Sequence, residues 1–457
     1  MSSGGSHSFV DKLTHFTHEQ GIHITAKPLL YLFAAMNVSF LILDPAQTLR
    51  NFKVVLLLSP FWLSALLVTF GMRRWLSTNR IAWMARQEHI LLEIRVPRDV
   101  RKTPLAMETV LTSLHLSPGE STWWKKHVEG RVRPWWSFEI VSLGGRVHLY
   151  VWTRAGFRKA VESFFYAQYP GIEIVEATDY SRVIDPSHAP YDLWGTDYML
   201  TRGDAMPIRT YQEFMKPDSP LAKPEEQVDP LAQIIEMIGS IGPKEQFWVQ
   251  IMFRVHKGEK YKGKFTKDGK PYTIKEEAKE RLEEFRKSTV RTTTIVDPVT
   301  GATRETESFP NPSRGVQMAM EEVERKVSKP LFDVSIRSIY TAPGDAFQGI
   351  MISQLIGMWK PFHSEVVNNF AITRWMANFD DQPWQDIGGH HRAHIKHQIT
   401  DAYRRRAAFH EPYRLPYFVL SSEELATLFH IPSSGVTTPS LPRIQSSTAE
   451  APSNLPT

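Results

Sequence analysis

The sequence predicts an α+β protein that consists of an N-terminal transmembrane helical hairpin, two ferredoxin-like (βαββαβ) units in tandem and a helical C-terminal region. Three observations support this prediction. Residues 54–72 carry no charged side chain, the segments 80–180 and 195–345 each show strand and helix patterns in turn, and a long charged insertion at 257–312 interrupts the second segment. About 370 residues follow the apolar run, enough for two or three domains with cores of their own.

The charge-free run predicts attachment to a lipid bilayer. At about 1.5 Å per helical residue, 54–72 nearly spans the roughly 30 Å hydrocarbon core. A weaker apolar run at 28–43 completes a predicted hairpin within 27–75, with a tilted or interfacial helix as the alternative for that run. Four arginines follow the stronger run, which predicts that the large C-terminal region faces the cytoplasm. A buried hairpin in a soluble core is the alternative for the whole feature.

The composition limits the chemistry of the chain. It contains no cysteine, which excludes disulfides, thiolate metal ligands and a cysteine nucleophile, and which agrees with a reducing compartment. Its 54 basic and 49 acidic side chains give a net charge of +5, too small to indicate a nucleic-acid-binding protein. Residues 1–26 lack the pattern of a secretory signal, so we expect them to remain as a polar tail.

The first unit begins with a strand and a helix. Apolar side chains alternate in 89–96, as in a strand with one buried face, and Pro97 ends the pattern. Thr103 and Pro104 are typical of a helix N-cap and first turn, and apolar residues then recur at helical spacing up to Leu114. The sequence therefore predicts the start of a βα unit here.

A hairpin, a second helix and a short strand complete the first unit. Two alternating segments flank Gly144 and Gly145, which favour the positive φ angles of a tight turn. A helical pattern follows and ends at Pro170, and 172–175 has the pattern of a strand. The order βαββαβ is that of the ferredoxin-like fold, whose sheet carries helices on one face and leaves the other face for a partner.

The second unit repeats this order less clearly. The predicted elements around the insertion are a strand near 198–210, a helix at 230–241, a strand at 247–255, a helix at 315–328 and a strand at 331–341. We expect the remaining strand at 291–296. The region 345–432 is predicted to be helical, and 433–457 is a predicted tail rich in serine, threonine and proline.

One segment partly matches the phosphate loop of nucleotide-binding proteins. Gly258, Gly263 and Lys264 have the required spacing, but Phe265 occupies the position of the magnesium-binding hydroxyl. That loop also requires a helix directly after it, whereas the next residues predict a turn. No other catalytic constellation is recognisable in the sequence, so we predict no cofactor and no enzymatic activity.

Two groups of residues are candidates for binding. His390, His394 and His397 would share one helix face and are candidate metal ligands, although neighbouring arginines oppose a bound cation. The alternative is an exposed basic helix that contacts anionic lipid, nucleic acid or a protein partner. The candidate basic interaction surface comprises Lys260, Lys262, Lys264, Arg404, Arg405 and Arg406, with a solvated loop as the alternative for the lysines.

Five segments carry a resemblance to a known family. They are LLEIRVPRDVRKTPLAMETVLTSLH from Leu91, RPWWSFEIVSLGGRVHLYVWT from Arg133, YAQYPGIEIVEATDY from Tyr166, DPLAQIIEMIGSIGPKEQFWVQIMFRV from Asp229 and YFVLSSEELATLFHIPSSGVTTPSLPRI from Tyr417. Together they resemble the membrane-anchored N-terminal part of a bacterial family related to type IV secretion coupling proteins and HerA-like DNA-translocating ATPases. That family is best represented among ultra-small bacteria of candidate phyla. The resemblance covers nearly all of residues 80–457.

The resemblance implies a function that composition alone does not. In family members, the linker after the last of these segments leads into a RecA-type motor with a true phosphate loop, and no counterpart of that motor is present up to Thr457. We therefore expect a non-enzymatic platform subunit at the bacterial cytoplasmic membrane, which docks a separately encoded ATPase of a type IV secretion-like or DNA-transfer machine. The alternatives are a metal-dependent membrane enzyme that uses the His390–His397 cluster, and a self-assembling membrane scaffold. Homo-oligomerisation and direct contact with nucleic acid stay open.

Overall fold

The architecture is α+β and is built on one large sheet of ten strands. The computed structural model describes residues 26–98, 100, 102–215, 229–266, 269–290, 292–296, 303–307, 311–364, 367–378, 382, 384, 386–432 and 440–444. The predicted tails, 1–26 and 433–457, lie outside these ranges except for Ala26 and the segment 440–444.

The strands and helices are as follows. The strands are β1 (His89–Pro97), β2 (Trp136–Leu143), β3 (Arg146–Arg154), β4 (Glu173–Glu176), β5 (Tyr191–Leu200), β6 (Gln246–Val255), β7 (Thr292–Val296), β8 (Thr303–Glu307), β9 (Leu331–Pro343), β10 (Phe370–Thr373), β11 (Phe418–Ser421) and β12 (Arg443–Ile444). The helices are α1 (Ala26–Leu43), α2 (Pro45–Leu57), α3 (Ser59–Ala85), α4 (Pro104–Ser113), α5 (Trp123–His127), α6 (Arg158–Gln168), α7 (Tyr211–Met215), α8 (Pro230–Gly239), α9 (Ile274–Ser288), α10 (Arg314–Ser328), α11 (Ile350–Gly357), α12 (His390–Arg404) and α13 (Ser422–Leu428).

The sheet consists of two halves with the same strand order. The first half is β4–β1–β3–β2 and the second is β10–β5–β9–β6, so each half has its first and third strands at the centre. The halves join where β2 and β6 pair antiparallel, from Trp136 opposite Phe253 to Leu143 opposite Gln246. In addition, β11 lies beside β9, and β12 pairs in parallel with the end of β1. The two predicted units therefore share one continuous sheet.

Several predictions for the second half are wrong. The strand expected at 291–296 contributes β7, which pairs only with β8 in a separate hairpin. The third position of the second half belongs to β9, so α10 precedes that strand and is part of the insertion. The helix between β9 and β10 is α11, and the region predicted to be helical, 345–432, supplies β10 and β11 to the sheet.

Both faces of the sheet are covered at its centre, whereas the sequence predicts one open face. Apolar residues of α4, α6, α8, α11 and α13 pack on one face against alternate residues of the strands, such as Phe138 and Ile251. On the other face, Ile399 and Tyr403 of α12 pack against Trp248 in a second cluster, which Trp83 of α3 also joins. The central strands are therefore buried on both sides, which explains their nearly continuous apolar runs.

The predicted transmembrane hairpin is wrong. Among the residues that the structure describes, no single helix is long and apolar enough to cross a bilayer, and α2 and α3 satisfy that criterion only as a pair bent by 41°. The predicted span 54–72 is interrupted at Leu58, because Pro60 has no amide hydrogen for the carbonyl of Leu56 and its ring crowds that carbonyl. The predicted connecting loop is itself helical, since Asp44 caps α2 by accepting from the amide of Gln47 at 3.0 Å.

Candidate functional site

The N-terminal helices expose many large apolar side chains close together in the sequence. No residue of α2 is buried. Leu57 is 78 % exposed, Phe61 is 77 % exposed and Phe70 is 65 % exposed. The exposed apolar residues continue through both helices and include Phe52, Val54, Val55, Leu56, Leu58, Leu63, Leu66, Leu67, Val68 and Met72. A contiguous apolar surface of this kind marks a contact with lipid or with another protein.

The C-terminal part of α3 changes character and contacts the sheet domain. The residues 73–85 contain three arginines and no acid. Trp83 and Met84 pack on the second core cluster, and the guanidinium of Arg154 lies 4.6 Å from the centroid of the Trp83 ring. The helix is therefore fixed to the sheet at one end, while its apolar end extends away from these contacts.

The turn formed by α5 packs beside this junction. The side-chain amide of Asn79 donates to the carbonyl oxygen of Val128 at 3.1 Å. Gly130 has a φ of +67°, and a Cβ there would lie 2.6 Å from the backbone of Asn79, so only glycine allows this approach. Two adjacent tryptophans of α5 point outward, with Trp123 63 % exposed and Trp124 60 % exposed.

A cavity of about 560 Å³ lies where α3 meets the sheet. Its lining includes Met84, Trp135 and Trp152, and the His89 ring stacks on Trp152 with centroids 4.4 Å apart. Burial and the positive charge of Arg154 lower the pKa of His89 to about 4, so this imidazole is neutral at pH 7. The cavity wall is thus mainly aromatic and uncharged beside α3.

The lining of the cavity also includes Arg406, the centre of a buried ion-pair network. Its guanidinium donates to Glu139 at 3.0 and 3.1 Å, and to Asp179 at 2.5 and 3.0 Å. Gln250 donates to the same Glu139 carboxylate at 3.1 Å, and the Tyr180 hydroxyl does so at 2.8 Å. Each charge therefore has an opposite charge and further hydrogen bonds, the condition under which buried ions are tolerated.

Comparison with known proteins identifies the family. The family model described as "Domain of unknown function (DUF8128)" matches residues 77–443. The chain belongs to the DUF8128 family. No curated protein matches the chain. The matched residues begin within α3, beyond its charge-free part, and end in β12, so they contain α5, the cavity and every strand of the sheet except the last residue of β12.

The predicted basic surface is divided among different environments in this DUF8128 member. Lys262 and Lys264 are exposed, and Lys260 forms an ion pair with Asp204 at 2.5 Å. Arg405 is exposed and pairs with Asp401 at 2.8 Å. The two remaining arginines turn inward: Arg404 donates to the carbonyl oxygens of Ser181 and Ile184, and Arg406 is 1 % exposed. Three neighbouring arginines therefore have three different roles.

The predicted metal ligands lie together on α12. His390, His394 and His397 are all exposed. Across the part of the chain that the structure describes, no three His, Asp or Glu side chains are arranged to hold a metal ion. The nearby carboxylate of Asp386 accepts from the backbone amides of His391 and Arg392, at 2.8 and 3.0 Å, and so caps the start of the helix.

The segment that resembles a phosphate loop has a structural role here. Gly258 has a φ of +73° and begins a short 3-10 turn, but α9 starts only at Ile274. Within the turn, the Glu259 carboxylate accepts two hydrogen bonds from Arg133 at 2.8 and 2.5 Å. The turn thus places a carboxylate against buried arginine. Sequence reasoning did not find this pair, because its members lie 126 positions apart.

Proposed function

We propose that this DUF8128 member is a non-enzymatic platform protein, which the apolar surface of α2 and α3 holds at a membrane and which docks a separately encoded ATPase of a secretion or DNA-transfer machine. The observation that carries the membrane part is the exposure of the large apolar side chains described in these helices, from Phe52 to Met72. Burial of apolar area is worth about 25 cal/mol per Å², so a surface of this size favours lipid over water strongly. The broken helices contact the bilayer as a bent segment.

The docking part of the proposal draws on the resemblance of the sheet region to the N-terminal part of DNA-translocating ATPases. The large sheet, covered on both faces at its centre, is a rigid body on which a partner can be positioned.

Fractionation of cells that express the full chain tests the membrane part. The wild-type chain is expected in the membrane fraction and should require detergent for release. A variant with Leu66→Ser, Leu67→Ser and Phe70→Ser should move largely to the supernatant, because three exposed apolar contacts with lipid are lost. Wild-type protein that is folded and found entirely in the supernatant would overturn the proposal.

A matched control separates this effect from helix substitution in general. Lys279→Ser, Glu283→Ser and Lys287→Ser change three exposed positions on the polar helix α9 and should leave the distribution unchanged. The docking part has its own test. Purification from detergent-solubilised membranes should recover an ATPase with a phosphate loop, and its repeated absence would remove that part alone.

A further inference from the structure

We infer that α5 is a headgroup contact, in which Trp123 and Trp124 enter the interfacial layer of an anionic bilayer and Lys125 and Lys126 bind its negative charges. The inference rests on the proposed membrane location of α2 and α3. It adds a second, sequentially separate contact from the sheet domain, and it specifies the class of lipid.

Two adjacent indoles of α5 are exposed to solvent. Trp123 and Trp124 are more than half exposed, whereas Trp136 and Trp248 are fully buried in the sheet. An indole combines a large apolar body with a polar N–H group, and tryptophan is for that reason enriched where bilayers meet water. Two such side chains in sequence on a surface helix therefore indicate an amphipathic environment.

The α5 turn is attached close to the end of the apolar part of α3. Asn79 fixes the α5 turn to α3 through the carbonyl of Val128, and Trp75, which is 43 % exposed, lies one helical turn before Asn79. Four residues correspond to about 6 Å along the helix axis. The charge-free apolar part of α3 ends at Met72, a further 4 to 5 Å away by the same rise of about 1.5 Å per residue. The α5 turn is thus attached at the boundary between the apolar surface and the sheet domain.

Both α3 and α5 carry basic side chains at this boundary. Arg73 and Arg74 follow the apolar part of α3, and α3 contains no acidic residue. In α5, Lys125 and Lys126 are adjacent, and Lys126 pairs with Glu120 at 3.9 Å while the same carboxylate faces buried Arg133 at 3.7 Å. The boundary is therefore cationic on both elements, which complements anionic headgroups.

Several contacts hold the α5 turn in one conformation. Thr122 caps α5 by accepting from the amide of Lys125 at 3.3 Å, and the Trp123 and His127 rings stack with centroids 5.1 Å apart. Gly130 brings the chain against the backbone of α3 immediately afterwards. A preorganised turn loses little conformational entropy when it binds, so its indoles and lysines can contribute most of their contact energy.

Vesicle flotation of the full chain tests the inference, with vesicles of phosphatidylcholine alone and vesicles containing phosphatidylglycerol. Lys125→Ser with Lys126→Ser should weaken binding to the anionic vesicles about 30-fold, since each cationic side chain near an anionic surface contributes about fivefold. Binding to the neutral vesicles should not change. Trp123→Ser with Trp124→Ser should weaken binding to both. Trp384→Ser, at a tryptophan that is 54 % exposed elsewhere, is the matched control and should bind as wild type.

The outcomes distinguish this inference from the proposed function. If wild type binds neither vesicle, the proposed membrane location fails. If wild type binds and the variant of Leu66, Leu67 and Phe70 does not, while both α5 variants bind as wild type, only the inference fails. If the α5 variants bind vesicles as wild type does but no longer recover the ATPase, α5 is a protein contact. That result would also overturn the inference.

A spectroscopic measurement guards against loss of folding in the serine variants. The chain contains no cysteine, so a single substitution provides a unique site for a polarity-sensitive fluorophore. Emission from the label on Trp124→Cys should shift to shorter wavelength when phosphatidylglycerol vesicles are added. The label on Trp384→Cys should show no shift. Equal spectra at both positions, with and without vesicles, would contradict the inference.

Discussion

The N-terminal helices and the centre of the sheet distribute polar and apolar groups in opposite ways. In α2 and the first part of α3, large apolar residues such as Phe61 and Phe70 are mostly exposed. In the sheet, Glu139 and Arg337 are fully buried, and Arg406, in the loop after α12, is 1 % exposed against it. Folding normally buries apolar side chains, but the N-terminal helices expose them. Folding normally exposes charged side chains, but the centre of the sheet buries them.

The two regions find their stabilising contacts in different places. Two buried arginines are compensated by carboxylates inside the chain: Arg337 donates to Asp197 at 2.7 Å, just as Arg406 donates to Glu139 and Asp179. Large apolar residues of α2 and α3, such as Phe61 and Phe70, stay mostly exposed within the described chain. This asymmetry is the basis of the proposed membrane location.

The largest expected effect comes from breaking the charge compensation of the sheet. Arg406→Ala leaves the carboxylate of Glu139 at 0 % exposure without its cation. Removing one partner of a buried pair typically costs about 3 to 5 kcal/mol, because the remaining charge stays desolvated. We predict a loss of this size in the free energy of unfolding of the full chain, measured by urea denaturation in detergent.

The adjacent arginine supplies the control for this prediction. Arg405 is 58 % exposed and pairs with Asp401 one helical turn earlier. Exposed pairs of this kind contribute about 0.5 kcal/mol or less, so Arg405→Ala should hardly change the unfolding curve. Equal losses for the two variants would show that burial of Arg406 does not set its contribution.

These arginines also show what the sequence can predict. The glycine turn predicted between β2 and β3 is confirmed, and Ser421 and Glu424, three residues apart, form a capping box whose pattern is readable in the sequence; each feature depends on residues close in sequence. Arg404, Arg405 and Arg406 are chemically identical and adjacent, so nothing local distinguishes them. The buried charge of Arg406 is paired with Glu139, which lies 267 positions away. A sequence pattern does not reveal that contact.

The errors in the fold have two different physical origins. The interruption of the predicted span was detectable, because Pro60 stands inside the apolar run and proline disfavours a continuous helix. The pairing of β2 with β6 was not detectable in the sequence. Each of these strands has an apolar pattern that an edge strand of a separate unit would also have. Likewise, β9 takes the third position of the second half, while β7 pairs with β8 in a separate hairpin.

An intermediate effect is expected where burial is compensated incompletely. Glu322 of α10 faces Glu213 of α7, with Arg325 and Glu423 also nearby. Burial, followed by repulsion from Glu213, raises the pKa of Glu322 from 4.5 to about 8. Between these two pH values the folded chain keeps a proton that the unfolded chain has released. The free energy of unfolding therefore falls as the pH rises from 4.5 to 8.

Substitution by glutamine should remove this pH dependence. Glu322→Gln cannot ionise, so its melting temperature should exceed that of wild type at pH 8.5 by a few degrees and approach it near pH 5. Melting curves from pH 5 to pH 9 provide the measurement. Glu321→Gln changes the exposed neighbour on the same helix and should follow the wild-type pH profile. A parallel profile for the Glu322 variant would contradict the assigned ionisation.

The smallest expected effect is on the other side of the comparison. Phe70→Ala removes a ring that is 65 % exposed, whereas Phe138→Ala removes one that is fully buried between the strands and α6. Substitutions at exposed positions usually change stability by about 0.5 kcal/mol or less, and loss of a buried phenylalanine costs about 3 to 5 kcal/mol. We expect this contrast in the unfolding of the sheet, followed by near-ultraviolet circular dichroism in detergent.

The result for Phe70 bears on function because the same ring cannot be both free and packed. If Phe70→Ala leaves the unfolding curve unchanged and weakens binding to vesicles, the ring contributes to an external contact and not to the sheet core. If it destabilises the sheet as much as Phe138→Ala does, α3 is packed against the rest of the chain. The exposed surface would then be occupied internally, and the argument for a membrane contact would lose its supporting observation.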